Sequence, residues 1–197
     1  MPTDREVEAI LTQLAEVPCN YEPVGATGDG LRVAPRGYVL DAYETELGRG
    51  DGVFEAACEQ LARFGNYPPS FTRVVANGEK LEAGLCFATL ATHFGFASLH
   101  PCRVLEVFRE EDTRRFGFSL GTLPGHIGAG EERFAIRQDP RDGAVRYEVQ
   151  AISRPGGWLG RLGAPVFRSF QRRFARETQQ TMRDRCKASA SAGQSLV

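Results

Sequence analysis

The chain has 197 residues, 42% of them hydrophobic and 25% charged, and a net charge of −1. That length suits one domain burying roughly 70% of its unfolded surface, and the near-neutral charge excludes a general attraction to nucleic acid or an anionic membrane. No apolar run reaches transmembrane length and Met1-Pro-Thr-Asp-Arg-Glu6 has no signal-peptide core, so a cytoplasmic protein with no stable membrane insertion is expected.

Thr3-Asp-Arg-Glu6 has capping-box spacing, and Val7, Ile10, Leu11 and Leu14 follow at helical intervals. This predicts a short helix ended by Pro18, so residues 1–17 are read as an N-terminal helical extension. Residues 18–37, dense in Gly, Pro and Asp, predict loop. Tyr38–Leu47 predicts the first strand of a single domain over residues 18–187. Asp51 is placed as the N-cap of a helix whose apolar face is Val53, Phe54, Ala57, Cys58, Leu61 and Phe64. Phe71–Val75 predicts a short strand. Residues 84–96 are almost wholly apolar and are assigned as one strand, although periodicity alone does not separate a doubly buried strand from a buried helix. Cys102–Arg109 predicts another.

The least random stretch is Phe116–Phe134. Phe116, Phe118, Leu120 and Thr122 alternate with Gly117, Ser119 and Gly121, which is the period of a strand with a bare strip on one face. Glycine within a strand marks a bulge, a bend or a close approach. A turn-rich run, Pro124–Gly130, follows, and then alternation resumes with Phe134 and Ile136 on one face. Strand, loop, strand is expected. A phosphate-cradling loop needs a helix behind its glycines, and none follows here. Arg146–Arg154 predicts the last strand, with Tyr147, Val149 and Ala151 alternating against polar neighbours.

A long helix is expected from near Pro165, with Phe167, Phe170, Phe174, Thr178 and Met182 as its stripe. Residues 188–197, rich in Ser, Ala and Gly, predict a disordered tail. The order is strand, helix, about six antiparallel strands and a long helix. A sheet curled around that last helix is the natural arrangement, an α+β fold. The bare strip would then admit either the helix phenylalanines or a ligand.

Gly117-Phe-Ser-Leu-Gly-Thr-Leu-Pro-Gly-His126, Gly130-Glu-Glu-Arg-Phe134, Ala151-Ile-Ser-Arg-Pro155 and Gln171-Arg-Arg-Phe174 carry a resemblance. With His100-Pro-Cys-Arg103, they resemble a family catalogued only as a domain of unknown function, nineteen-ninety in its series. The likeness covers residues 38–186. It implies a START-like helix-grip fold, a curved antiparallel sheet wrapped around a long C-terminal helix and enclosing a hydrophobic cavity. It implies no cofactor and no established activity.

Binding of a hydrophobic or amphipathic small molecule between sheet and helix is the preferred reading. Phe118, Leu120, Thr122, Tyr147, Phe167 and Phe170 would wall the pocket, with Arg133 and Arg154 as its polar ligand-binding groups. The alternative is a cofactor-free enzyme for proton transfer, cyclisation or hydrolysis, with His126 as base and Glu131 orienting it or acting as acid. His126 is equally readable as a loop histidine bonding the hairpin backbone. Glu131, Glu132, Arg133 and Arg154 are readable as a cavity clamp for a carboxylate or phosphate, or as exposed ion pairs. Alternation sends Glu131 and Arg133 to one face and Glu132 to the other, and for Glu132 the ion pair is the favoured reading. No metal is expected. His93, His100 and Cys102 lack a completing ligand at recognisable spacing, and the five cysteines, odd in number with no Cys-x-x-Cys, fit free thiols.

Overall fold

Thr3 and Glu6 close the box that their spacing predicts. The Thr3 amide donates to Glu6 Oε2 at 2.8 Å and the Glu6 amide donates to Thr3 Oγ1 at 3.4 Å, opening α1 (Asp4–Leu14). The structure, a computed structural model, describes residues 2–28, 31, 33–93, 96–155 and 164–194. After α1 come β1 (Val39–Arg49), α2 (Asp51–Ala62), β2 (Thr72–Ala76) and β3 (Cys86–His93). They are followed by β4 (Phe96–Glu110), β5 (Arg115–Thr122), β6 (Gly128–Gln138), β7 (Ala144–Pro155) and α3 (Ala164–Gln194).

Three boundaries differ from expectation. The apolar run 84–96 is not one strand: β3 stops at His93 and pairs back on a β4 that starts at Phe96, well before Cys102. Gly50 rather than Asp51 is the N-cap of α2. Asp51 lies in the first turn, where its carboxylate accepts from Arg114 at 3.0 Å and Gln138 at 3.1 Å. The last helix continues to Gln194, through residues whose composition predicts disorder; alanine, frequent there, is the strongest helix former.

Among the described residues, seven strands form one antiparallel sheet in the order β1-β7-β6-β5-β4-β3-β2. Register shifts between Val104 and Glu106 in β4 and between Glu46 and Gly48 in β1 help to bend it. The result is the expected helix-grip architecture, a curved sheet holding α3. Its concave face carries the main core. Phe87, Phe118, Phe134 and Tyr147 from the strands pack with Phe54 and Leu61 of α2 and Met182 and Cys186 of α3. Each of these fully buried rings and aliphatics contributes on the order of 1.5–3 kcal/mol.

The convex face is covered too, by the start of the chain. Val7 and Leu11 of α1 pack on Val75, Cys86, Ala88 and Leu90. Arg103, from the same face, donates to the carbonyls of Leu14, Ala15 and Val17 at 2.6–2.9 Å, satisfying the open end of α1. Beyond α1, residues 19–28 form a strap across β5 and β6.

Close approach, rather than turn geometry, explains Gly130. A Cβ there would stand 2.0 Å from the carbonyl oxygen of Ile152 on the paired strand β7. Gly130→Ala is therefore expected to cost about 2 kcal/mol by forcing β6 from β7, read as a lower urea midpoint at unchanged slope. An unchanged midpoint would show that the pair separates freely.

Candidate functional site

Strand pairing assigns each residue of the signature hairpin to a face. Leu120 pairs with Glu132, Glu132 with Ala151 and Ala151 with Asp41, so these four form a row across the concave side. Gly121 pairs with Glu131, Ser119 with Arg133 and Gly117 with Ala135 on the convex side. The bare strip thus faces away from α3, and protein fills it. A Cβ on Gly121 would lie 2.6 Å from the Tyr21 hydroxyl, and one on Gly117 would lie 2.5 Å from the Phe108 ring. The expectation that this strip hollows out a site beneath the helix is overturned.

The site's space lies on the other face. A cavity of about 180 Å³ opens between the strands and α3. Leu120, Thr122 and Ala91 line it from the sheet, Phe71 and Tyr67 from the loop before β2, Ile127 from the loop before β6, and Phe174 and Gln171 from α3. A larger hollow of about 300 Å³ on the convex face is lined by charges of both signs, Arg115, Arg133 and Glu148 among them, already engaged in ion pairs. The concave cavity, walled mainly by apolar groups with a few polar ones, has the form of a small-molecule site.

His126 lines this cavity. Its Nδ1 lies 2.9 Å from the Gly128 amide, from which it can accept, and 3.1 Å from the Gly128 carbonyl oxygen, to which it can donate in the other tautomer. The His100 ring stands 5.0 Å away, its Nε2 2.8 Å from Ser98 Oγ. Burial, with a smaller effect of His100, pushes His126 down to about 3. Burial thus favours the neutral imidazole at neutral pH, which runs against the value near 7 that suits general acid–base chemistry.

This has a sign that can be checked. The folded value lies below the ordinary 6.5, so the unfolded chain binds the extra proton. The stability that this neutral imidazole contributes is complete above pH 6.5 and is lost as pH falls toward 3. His126→Asn, whose Oδ1 can take the Gly128 amide, is expected to improve in relative stability by about 2 kcal/mol between pH 7.5 and pH 4.5. Chemical melts of both proteins at the two pH values measure it. A variant whose deficit is the same at both would place the imidazole in water.

Glu131 borders the same cavity, but its carboxylate is engaged elsewhere and does not partner His126. It lies on the convex face, 2% exposed, clasped by the strap. Tyr21 Oη and the Gly25 amide donate to Oε2 at 2.8 Å, the Ala26 amide at 3.2 Å, and the Thr27 amide to Oε1 at 2.8 Å, with the Thr27 hydroxyl also on Oε1. Arg133 shares that face, paired with Glu106 at 3.0 Å and stacked 3.9 Å from the centre of the Phe108 ring. Arg154 is exposed, over the Tyr38 ring at 4.9 Å. The clamp read from Glu131, Arg133 and Arg154 is thus corrected by the parity of the strands.

Phe118 and Tyr147 do face inward, but both are completely buried in the core. The Tyr147 hydroxyl meets Asn66 Nδ2 at 3.2 Å and Thr178 Oγ1 at 2.9 Å, tying β7 to α3 instead of reaching the cavity. The side chains of Phe167 and Phe170 lie outside the described residues.

The cavity's acid is Glu132, for which the sequence favours a surface ion pair over a place in a cavity clamp. It lines the space, and its exposure is intermediate because its open side faces the cavity. Burial, helped by Asp41 along the same row, pushes its carboxyl up to about 7. Tyr67, His100 and Cys102 were also missed as lining residues. For Glu132 the signal was present: it shares parity with Phe134 and Ile136.

A family model described as Domain of unknown function (DUF1990) matches residues 20–181. The chain belongs to the DUF1990 family. Relatives named UPF0548 protein agree along most of its length. One from Dictyostelium discoideum is 28% identical over 88% of this chain and 88% of its own. Another, from Deinococcus radiodurans, is 30% identical over 89% of this chain and 91% of its own. Solved structures add the fold alone. TTHA0849 from Thermus thermophilus superposes with a TM-score of 0.54 at 10% identity, over 77% of this chain and 99% of its own. The ginseng major latex-like protein 151 from Panax ginseng gives 0.50 at 10% identity, over 75% of this chain and 97% of its own. These are helix-grip neighbours of the Bet v 1 and START-like kind. Among the described residues, no helix of this DUF1990 chain is long and apolar enough to cross a membrane.

Proposed function

We propose that the chain binds a small, largely apolar molecule in the cavity between the curved sheet and α3. The observation that carries this reading is the cavity itself, about 180 Å³, with Leu120, Ala91, Phe71 and Phe174 as walls and few polar groups converging on it. Thr122 gives the wall rigidity. Its Oγ1 accepts from the Gly130 amide at 2.9 Å and its hydroxyl donates to Asn20 Oδ1, so the cavity lining is braced by the strap behind it. The volume suits a single ring with a short chain.

Calorimetric titration with the neutral probe 2-phenylethanol tests the reading. One-site saturable binding is expected, and Ala91→Phe, which pushes a ring into the space from β3, is expected to abolish it with the far-UV spectrum unchanged. No saturable binding by the wild-type chain, or full binding by Ala91→Phe, would remove the cavity as the site.

A further inference from the structure

We propose that the cavity selects ligands carrying a positively charged nitrogen, which Glu132 holds. This rests on the binding role above and names its ligand class.

The first observation is geometric. Glu132 sits on the concave row between Leu120 and Ala151 and lines the cavity. No hydrogen-bond donor among the described residues meets its carboxylate, whereas its neighbour Glu131 has five. A carboxylate facing a mostly apolar cavity without a protein donor takes one from water or from a ligand.

The second observation is the charge around it. Asp41 of β1, Tyr67 of the loop before β2, Cys102 of β4 and Tyr147 of β7 are the ionisable groups that face it. Their ionised forms are all negative, and burial holds the two hydroxyls and the thiol in their neutral forms. Of the described side chains of α3, Gln171 and Phe174 line it. No Lys or Arg is among the described lining residues, and His126 is neutral. Among the described groups around Glu132 the charge is therefore carboxylate, with His100 also lining the cavity. An ammonium group compensates it at low effective dielectric, an alcohol satisfies one lone pair without compensating it, and a carboxylate is repelled. Because the empty site holds Glu132 near half-protonated at pH 7, binding a cation drives that proton off.

The experiment compares 2-phenylethylamine, 2-phenylethanol and 3-phenylpropanoate by calorimetry at pH 7, on the full wild-type chain and on Glu132→Gln. The amine is expected to bind about tenfold or more tighter than the alcohol, with the acid weakest. Buffers of different ionisation heat should report about half a proton released per amine bound to the wild type. In Glu132→Gln the gap between amine and alcohol should close to about twofold. Proton release is read on the wild type, so it tests the idea even if the variant folds poorly. If the alcohol binds and the amine binds no tighter, or no proton is released, or the variant keeps the preference, the ligand class is wrong while the binding role stands. If none of the three probes binds the wild type, the binding role falls and this inference falls with it.

Discussion

Glu131→Ala is expected to lower the unfolding free energy by about 3–5 kcal/mol, the range for stripping one side from a buried, charged hydrogen-bond cluster. The substitution leaves Tyr21 Oη, the Gly25, Ala26 and Thr27 amides and the Thr27 hydroxyl without their acceptor, and Tyr21 and Thr27 are buried. Ion pairs such as Arg109–Glu111, both largely exposed, set the contrast, since breaking them costs under about 1 kcal/mol. Glu131→Gln retains one acceptor oxygen but turns an amide toward the remaining donors, so it should fall between wild type and alanine. Urea melts of the three proteins measure the series. Limited proteolysis should show earlier cutting within residues 19–28 in the alanine variant. A loss under about 1 kcal/mol would mean that the strap is held by packing and not by this carboxylate.

One residue later the sign reverses. Glu132→Gln is expected to stabilise the ligand-free chain by about 3 kcal/mol at pH 8 and by almost nothing at pH 4. The carboxyl sits at about 7 in the folded chain against 4.5 ordinarily, so the folded state holds the proton more tightly. The stability this group contributes is complete below pH 4.5 and is lost as pH rises through 7. Glutamine keeps the shape and has no charge to lose. Between pH 4.5 and 6.5 the effect runs against that of His126, so the two contributions oppose each other there and each variant uncovers the slope of the other group. Melts at pH 4 and pH 8 decide the matter. An equal effect at both would show that the carboxylate is hydrated like a surface acid.

Much of the architecture was legible in the sequence. The capping box, the apolar faces of α2 and α3, and the alternation over residues 116–122 and 132–137 are local patterns, and local hydrogen bonding and burial enforce them. The site was harder because parity says which residues share a face, not which face points to the helix. Phe134 and Ile136 were correctly grouped, and since large apolar side chains fill the concave core, Glu132 belonged with them. The glycine strip suggested empty space, but Phe108 and Tyr21 occupy it, from 9 and 100 residues away in the sequence. Such long-range filling leaves no periodic trace. The five donors around Glu131 come from a loop with no regular pattern, which is why that carboxylate resembled a site.

The family match begins at residue 20, yet Val7 and Leu11 lie outside it with 0% exposure. A chain trimmed to the shared boundary would retain every cavity-lining residue and still turn Val75, Ala88 and Leu90 to water as a continuous greasy patch on the back of β2 and β3. Arg103 would lose the three carbonyls it now serves. On this packing α1 covers that patch, and a chain that omits it is expected to self-associate, which light scattering would show.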